Sequence, residues 1–537
     1  MEAVPDGLFG IVRAALRERA CGRSVVVWEG DGGEEFFDDL VKSAENGESE
    51  VWIFHVTGFG AASVPHTLIR RWSRLRLFHV QRHGGWDPSE LVLRADVYVV
   101  TGGAEVSGGD CYPISRIGRV VSGRGLLVGL RPDRAWVLAA ERAGFVGEVG
   151  CGVGGDIWAK SFVGKVLESH CGRGGRVAVL GAGLAGSAVA DGLARRGVEV
   201  DVFDGKGIGQ EASGNRAAVM VPMVSMDDGL PARLSRFGFG RVREESLEHG
   251  VGQACGVLQI AVNERIRRVC AAASAGEGFR VVDGIEAEEL SGVGLGEGGL
   301  WFPEAGWVQP RRLCEARLAR HEGQVRLIRE SVGGVERSTG AGEFRLRSGA
   351  GERLGEGYSA VVLATAGIPE WVPWAGLGIG QKLAWGRSVT LESKSLAGLR
   401  CVVTGAGYWI PLGNRVVHLG ATYEFQSLPV MDDFAAVEAI WEKTGGLVTG
   451  DMPRVEWDVR RSVRVLTADR LPMAGALGAG GFFAACGLGS RGVVWSGLVG
   501  DLVAAQVMGE PLTYPRSWVE ALNPGRFFEG NVRRGRQ

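Results

Sequence analysis

The sequence predicts an α/β protein of two to four domains. Three observations carry that expectation. The chain has 537 residues, too many for one core at roughly 100–200 residues per domain. Short apolar runs alternate along it with helix-like or loop segments, the rhythm of strands joined by crossovers. Its character changes near residue 170, where ESHCGRGGR precedes VAVLGAGLAGSAVADGLARRGVEVDVFDGKG, so the main boundary separates a domain of 1–168 from one of 174–530.

The strands follow in order. Before the boundary they are expected at 24–28 (SVVVW), 51–56 (VWIFHV), 75–80 (LRLFHV), 95–100 (ADVYVV) and 125–130 (GLLVGL). After it, strand-like runs recur at 177–180, 198–203, 360–363, 416–419 and 481–485, separated by long amphipathic stretches and glycine-rich turns. The chain carries no fixed-period repeat and no low-complexity tract.

Composition excludes several classes. Hydrophobic residues make up 45% and charged residues 23%, which rules out wholesale disorder, and the 88 glycines lack a collagen period. With 60 basic and 62 acidic residues the net charge is -2, so the whole chain is not a dedicated nucleic-acid binder, although a local basic patch fits that balance. Only seven of the basic residues are lysine. Arginine is the better residue for forked contacts to phosphate or carboxylate, and biased base composition produces the same excess. Nine scattered cysteines without a CxxC pair read as a reduced, cytoplasmic chain with no metal site. No run of about 18 apolar residues predicts a membrane span, and MEAVPDGLFGIVRAALRERA does not read as a signal peptide.

The chemistry is carried by Gly181, Gly183 and Gly186, a GxGxxG directly after the strand VAVL and directly before the helical SAVADGLARRG. The first glycine permits the tight turn, the second lets the backbone approach a pyrophosphate, and the third allows close helix–strand packing. Asp204 closes the next strand, VDVFD, where an acid can hydrogen-bond a ribose hydroxyl. Strand, glycines, helix, strand and acid in this order predict dinucleotide binding. FAD and NAD both use the fingerprint.

Three later segments favour FAD. EASGNRAAVMVP at 211–222, YSAVVLATAG at 358–367, and RSVRVLTADRLPMAG at 461–475 followed by GFFAACGLGSRGVVWSGLVGDLVAAQ at 481–506 resemble, in order, the flavin-side segment, the second nucleotide strand and the closing motif of D-amino-acid oxidase type flavoproteins. The resemblance implies a Rossmann-like FAD-binding domain (about 174–225, 311–370 and 455–510) with an α+β substrate domain of the same type (about 226–310 and 371–454). It places flavin contacts at Ala212, Ser213, Asn215, Arg216 and Ala217, at Val332, at Ala364, Thr365 and Gly367, and at Gly487, Gly489, Ser490 and Gly492.

ASGNRAAVMVPMVS, GGLWFPEAGWVQPRRLCEA at 298–316, GYWIPLGNRVVHLGATYE at 407–424, GLGSRG at 487–492 and ALNPGRF at 521–527 sharpen the match. Together they resemble the flavin half of the MnmC family, bifunctional enzymes of 5-methylaminomethyl-2-thiouridine biosynthesis in tRNA. The resemblance covers roughly 175–530 and implies oxidative removal of a carboxymethyl group from a modified wobble uridine, leaving a primary amine. Arg464 is the expected anchor for the substrate carboxylate, with a surface or tRNA-phosphate arginine as the alternative. Tyr408 is expected over the substrate or in packing, and Arg491 at the flavin carbonyl or the substrate. His418, in the apolar strand VVHLG, reads as a satisfied core residue.

The first domain resembles the family's methyltransferase half in pieces: EEFFDDLVKSAENG at 34–47, VTGFGAAS at 56–63 after its first strand, ADVYVV and the closing ERAGFVGEVG. The departures are informative. TGFGTG reads TGFGAA, and LDGFAP, whose aspartate faces the reacting amine, is replaced by VTGGAEVSGG with Thr101 at the acid's place. This favours a small, shrunken Rossmann-like domain without clear S-adenosylmethionine chemistry, an active divergent methyltransferase being the alternative. Arg233, Arg236, Arg311, Arg312, Arg533, Arg534 and Arg536 are candidate rim groups for a tRNA anticodon arm. Two other functions compete: an oxidase of a free secondary amino acid such as glycine or sarcosine, and a non-catalytic tRNA-binding scaffold.

Overall fold

A computed structural model describes Cys171, residues 175–272, 278–338, 343–372, 380–425, 432–445, 457–478, 480–510 and 512–527, and the backbone of the strands between 23 and 159. The chain divides into two compact units, Met1–Glu168 with Pro511–Ser517, and Ser169–Glu510 with Trp518–Gln537.

In the first unit, β-branched and aromatic runs form a sheet whose five central strands are parallel, in the order Leu75–Gln81, Glu50–Thr57, Arg23–Glu29, Ala95–Val100, Val121–Leu130. An antiparallel hairpin of Val146–Glu148 and Gly155–Ala159 closes one edge. All five expected strands form. Strand order reverses at Arg23–Glu29, the doubly wound pattern, so the glycine-rich segment at 56–63 follows the second strand rather than the first. The β-branched run in RSVVVWE adds the extra parallel strand ahead of it. Most of that segment, and Thr101, lie outside the described residues.

The second unit is organised by a six-stranded sheet in the order Val325–Ile328, Glu199–Phe203, Arg176–Leu180, Ala360–Leu363, Phe482–Cys486, Met473–Ala476. All but the last are parallel. The central strands read as continuous apolar runs because both faces are covered: Val177, Val179, Val361 and Val362 have no exposed surface. Beside it stands a larger mixed sheet containing Lys382–Glu392, Tyr408–Gly413 and Val416–Gly420. Asp458–Leu466 was expected to begin the closing nucleotide segment. It instead pairs along Lys382–Thr390 and extends the substrate sheet, so the return to the nucleotide sheet comes only at Met473–Ala476. Its mixed polar and apolar residues suit a strand with one face open and not the dry parallel sheet.

Four helices pack behind the cleft: α1 (Leu184–Ala194), α2 (Leu230–Glu248), α3 (Pro310–Ala319) and α4 (Gly492–Val507). Every residue of α1 is buried, and its small side chains let α4 approach closely. A Cβ on Gly500 would lie 2.6 Å from the Ala188 carbonyl carbon, and one on Gly238 would lie 2.1 Å from the Val494 carbonyl oxygen. One buried cation joins all four helices. Arg317 of α3 donates to both carboxylate oxygens of Glu245 (2.6 and 2.7 Å), to the Leu184 carbonyl (3.1 Å) and to Ser496 Oγ (3.2 Å).

Burial alone would push the Glu245 carboxyl up, but Arg317 outweighs it and holds the carboxyl below its ordinary value. Its stabilising contribution is therefore complete above about pH 4.3, the unfolded value, and is lost as pH falls through the lower folded value. Arg317→Met, which strands the Glu245 charge, is expected to cost about 3–5 kcal/mol in urea unfolding near neutral pH. The deficit relative to the natural chain should shrink as the medium is acidified below about pH 4, and a deficit independent of pH would refute the assignment.

Candidate active site

The strand Arg176–Leu180 ends in a turn that only glycines fit. Gly181 has φ +113°, its N–H donates to the Phe203 carbonyl (2.8 Å), and a Cβ there would lie 2.4 Å from the Ala364 carbonyl oxygen. Gly183 is the N-cap of α1, which has neither a side-chain cap nor an acid in its first turn. Helix N-termini of this kind accept anionic groups. Gly186 works by packing, since a Cβ would meet the Gly181 carbonyl oxygen at 1.8 Å.

These turns open into a cleft of about 840 Å³. Asp204 lines it, yet the carboxylate first braces its own turn: Oδ2 accepts from Ala182 N (2.9 Å), and Oδ1 from Lys206 N (2.9 Å) and Gly207 N (3.0 Å). A carboxylate has about four acceptor sites, so one is left for a ribose hydroxyl. Ser213 Oγ accepts from Leu184 N (3.0 Å), tying the ASGN turn to the helix start. Asn215 Oδ1, also on the cleft, is buried without a partner among the described residues. A helix start with no acid in its first turn, a carboxylate at the second strand's end and an orphaned amide oxygen along one cavity fit a dinucleotide such as FAD.

The same cleft gathers Tyr408, Tyr423, Arg464 and Arg491. Arg464 stands opposite Ala384 on the substrate sheet, its guanidinium carbon 5.9 Å from the Tyr423 ring centre. No carboxylate pairs with it among the described residues. Room for it comes from Gly386, where a Cβ would lie 2.5 Å from Arg464 Nη1. Tyr408 begins the strand Tyr408–Gly413, and burial pushes its phenol above the ordinary value while the charge of Arg464 opposes the shift. Arg491 precedes α4, and burial, reinforced by Arg265, lowers its pKa. A cation so placed gains from any anionic group that enters.

Most of the expected cofactor residues border this cleft: Gly181, Gly183, Asp204, Ala212, Ser213, Asn215, Val332, Ala364, Thr365, Gly489, Ser490 and Gly492. Five do not. Gly186, Gly367 and Gly487 shape the backbone behind the wall, Gly487 N donating to the Ala366 carbonyl (2.7 Å). Ala217 is fully buried under the strands Val257–Ile260 and Gly299–Phe302, because alternation along the chain turns it away from its neighbours. Arg216 turns the other way, 3.7 Å from Asp458, into a second cavity. His418 is not fully satisfied: Nδ1 meets Thr390 Oγ1 (2.9 Å), but Nε2 has no partner. Tyr423 escaped the sequence reading, its only signal being an aromatic just past the end of VVHLG. Arg236 is paired with Asp228 (2.6 Å), and Arg533, Arg534 and Arg536 lie outside the described residues.

The two helix-start glycines should fail differently. Gly183→Val intrudes on the Ser213 hydroxyl, 2.9 Å from the added Cβ, and should give soluble protein whose visible absorption shows no retained flavin. Gly186→Ala meets backbone that cannot yield and should lower stability by about 3 kcal/mol in denaturant titration. Normal flavin content in Gly183→Val would remove the cofactor from this turn.

The family model described as FAD dependent oxidoreductase, DAO, matches residues 176–506. The tRNA 5-methylaminomethyl-2-thiouridine biosynthesis bifunctional protein MnmC of Paraburkholderia phytofirmans is 32% identical over 400 residues, 66% of this chain and 60% of that protein. The protein of the same name from Pseudomonas putida is 31% identical over 512 residues, 83% of this chain and 76% of that one. The chain thus spans about three fifths of the first relative's length and three quarters of the second's. Among solved structures, glycine oxidase from Geobacillus kaustophilus superposes with TM-score 0.55 at 21% identity, covering 66% of this chain and 99% of its own. L-proline dehydrogenase from P. horikoshii gives 0.54 at 18%, covering 67% and 99%, and both show the fold alone. The glycine turn, the cleft it opens and these matches agree: the chain belongs to the DAO family of FAD dependent oxidoreductases and, within it, is MnmC-like.

Proposed function

We propose that the chain modifies the wobble uridine of tRNA, removing the carboxymethyl group of 5-carboxymethylaminomethyl-(2-thio)uridine as glyoxylate and leaving 5-aminomethyl-(2-thio)uridine. The observation that carries this reading is the Arg464 guanidinium, held over Tyr423 in the cleft without a carboxylate partner among the described residues. A substrate carboxylate fits that fork, and the MnmC name of the relatives supplies the substrate class.

Bound FAD supplies a two-electron acceptor. Gly181, Gly183, Asp204 and Asn215 would hold it along the cleft. Arg464 fixes the substrate carboxylate, which directs the adjacent methylene inward; orientation of this kind is a large part of the barrier reduction. Tyr408 covers the substrate amine, which must be neutral to react. The methylene carbon loses a hydride and the amine its proton, and water adds across the resulting C=N bond. The C–N bond then breaks, giving a primary amine on the nucleoside and glyoxylate. Arg491, its charge destabilised by burial, gains from negative charge that develops nearby.

The first unit is read as a methyltransferase-like domain that no longer methylates with S-adenosylmethionine. TGFGAA stands where the family carries TGFGTG, and Thr101 where the acid facing the amine belongs. An exocyclic amine needs a positioned oxygen to orient it, and no acid stands at that place in the sequence.

Anaerobic mixing with tRNA bearing carboxymethylaminomethyl-uridine should bleach the flavin and, with S-adenosylmethionine present, yield aminomethyl-uridine as the final nucleoside. Methylaminomethyl-uridine would restore the methyltransferase, and bleaching by glycine or sarcosine but not by tRNA would replace the substrate. Arg464→Ala should lower kcat/KM for the modified tRNA by about 2–5 kcal/mol through loss of the carboxylate partner; unchanged kinetics would remove it from the site.

A further inference from the structure

A second cavity, of about 600 Å³, opens beside the active cleft and plays no part in the chemistry above. Its lining holds five arginines, Arg216, Arg311, Arg312, Arg460 and Arg461, against one carboxylate, Asp458. Three of the cations have acidic partners: Arg216 with Asp458 at 3.7 Å, Arg311 with Glu315 at 3.0 Å and Arg461 with Asp433 at 2.8 Å. Among the described residues the other two have no acidic partner. Arg460 bonds only carbonyl oxygens, those of Gln210 (2.5 Å) and Glu211 (2.9 Å), and Arg312 has no partner among the described residues.

Two further features point the same way. Gln309, Arg311 and Arg312 bring the N-terminus of α3 to the cavity, and that helix has no side-chain cap and no acid in its first turn. His418 lines the cavity at 1% exposure, and its Nε2 is unpartnered. Burial, with Arg216 adding to it, lowers the imidazole pKa to about 4, so the ring is neutral near pH 7. In the tautomer that accepts from Thr390 at Nδ1, Nε2 carries a proton lacking an acceptor. Helix start, guanidinium forks and imidazole N–H are all donors, and a phosphate oxygen satisfies each of them.

The cavity lies close to the chemistry. Asn215 borders both it and the active cleft, and the Tyr408 ring of the cleft lies 6.0 Å from the His418 ring of the cavity. The rim is open, with Arg216 59% and Arg461 58% exposed, so a chain can enter and leave.

We propose that this arginine-lined cavity is a phosphate subsite that seats a backbone phosphate of the polynucleotide while the modified base occupies the adjoining cleft. The inference rests on the tRNA reading given above. A phosphate held here fixes the polynucleotide relative to Arg464 without reading its sequence.

The test measures binding and does not require turnover. The flavin-loaded full chain is titrated with an anticodon stem-loop RNA across a salt series by fluorescence anisotropy, and inorganic phosphate is added as competitor. Arg312→Ala is compared with Arg347→Ala, which removes equal charge from the strand Phe344–Ser348. Unchanged flavin absorption reports that both variants are folded. Arg312→Ala should bind the RNA about tenfold more weakly, the loss expected for a charge-assisted contact. Its salt dependence should be shallower by about 0.7–0.9 in slope, one phosphate contact, whereas Arg347→Ala should match the natural chain. Equal losses in both variants, no loss in either, or no RNA binding at all would overturn the subsite. Phosphate binding that depends on Arg312, with RNA binding that does not, would make it a site for free phosphate and overturn the polynucleotide assignment. RNA bound through Arg312 with no flavin reduction by modified tRNA would leave the subsite standing and sink the proposed reaction.

Discussion

The active cleft depends on the buried guanidinium of Arg317. From one position on α3 it reaches the Leu184 carbonyl at the start of α1, the Glu245 carboxylate on α2 and Ser496 at the start of α4. Both α1 and α4 begin on the cleft, so a single ion-paired side chain sets where those helix starts point. Buried ion pairs add little net stability compared with apolar packing, but they tolerate few alternative arrangements. Here the constraint is directional. A hydrophobic residue at the same place would fill the space without fixing the angle of three neighbouring helices.

Beneath that clamp the helices approach through missing side chains. Gly238 and Gly500 admit α4 against α2 and α1 at distances a methyl group would forbid. The large share of glycine in the chain therefore serves contact between elements as well as turns. Arg196 repeats the logic at the far end of α1, buried between Asp501 and Glu510 at 3.1 and 2.7 Å. Charged residues thus pin both ends of a helix whose own surface is too smooth to lock its rotation.

The parts legible in the sequence were those encoded locally. VAVL, the GxGxxG and VDVFD are contiguous, and their geometry follows from strand burial and glycine turns without knowledge of the rest of the chain. What sequence could not supply was which face a residue takes after an irregular turn. In ASGNRAA the chain leaves the 3-10 turn Ala212–Gly214 so that Ser213 lines the cleft, Asn215 both cavities, Arg216 the second cavity and Ala217 the core. Strand membership was hidden for the same reason. Asp458–Leu466 joins Lys382–Glu392 across a long separation in sequence, and only that pairing puts Arg464 beside Tyr423 and Gly386. His418 read as core because its neighbours are apolar; its empty nitrogen becomes visible only when the arginines from distant segments surround it.

Gly386 has a further effect on how a substrate arrives. An absent side chain on the neighbouring strand makes the space for Arg464, and no carboxylate pairs with the guanidinium among the described residues. In the proposed reaction an incoming carboxylate would meet no acidic partner of Arg464 among the described residues. No released acid of the described residues would have to find a new position, and departure of the product would leave the guanidinium as it was. On that reading the readiness of the anchor would be set by the backbone of an adjacent strand.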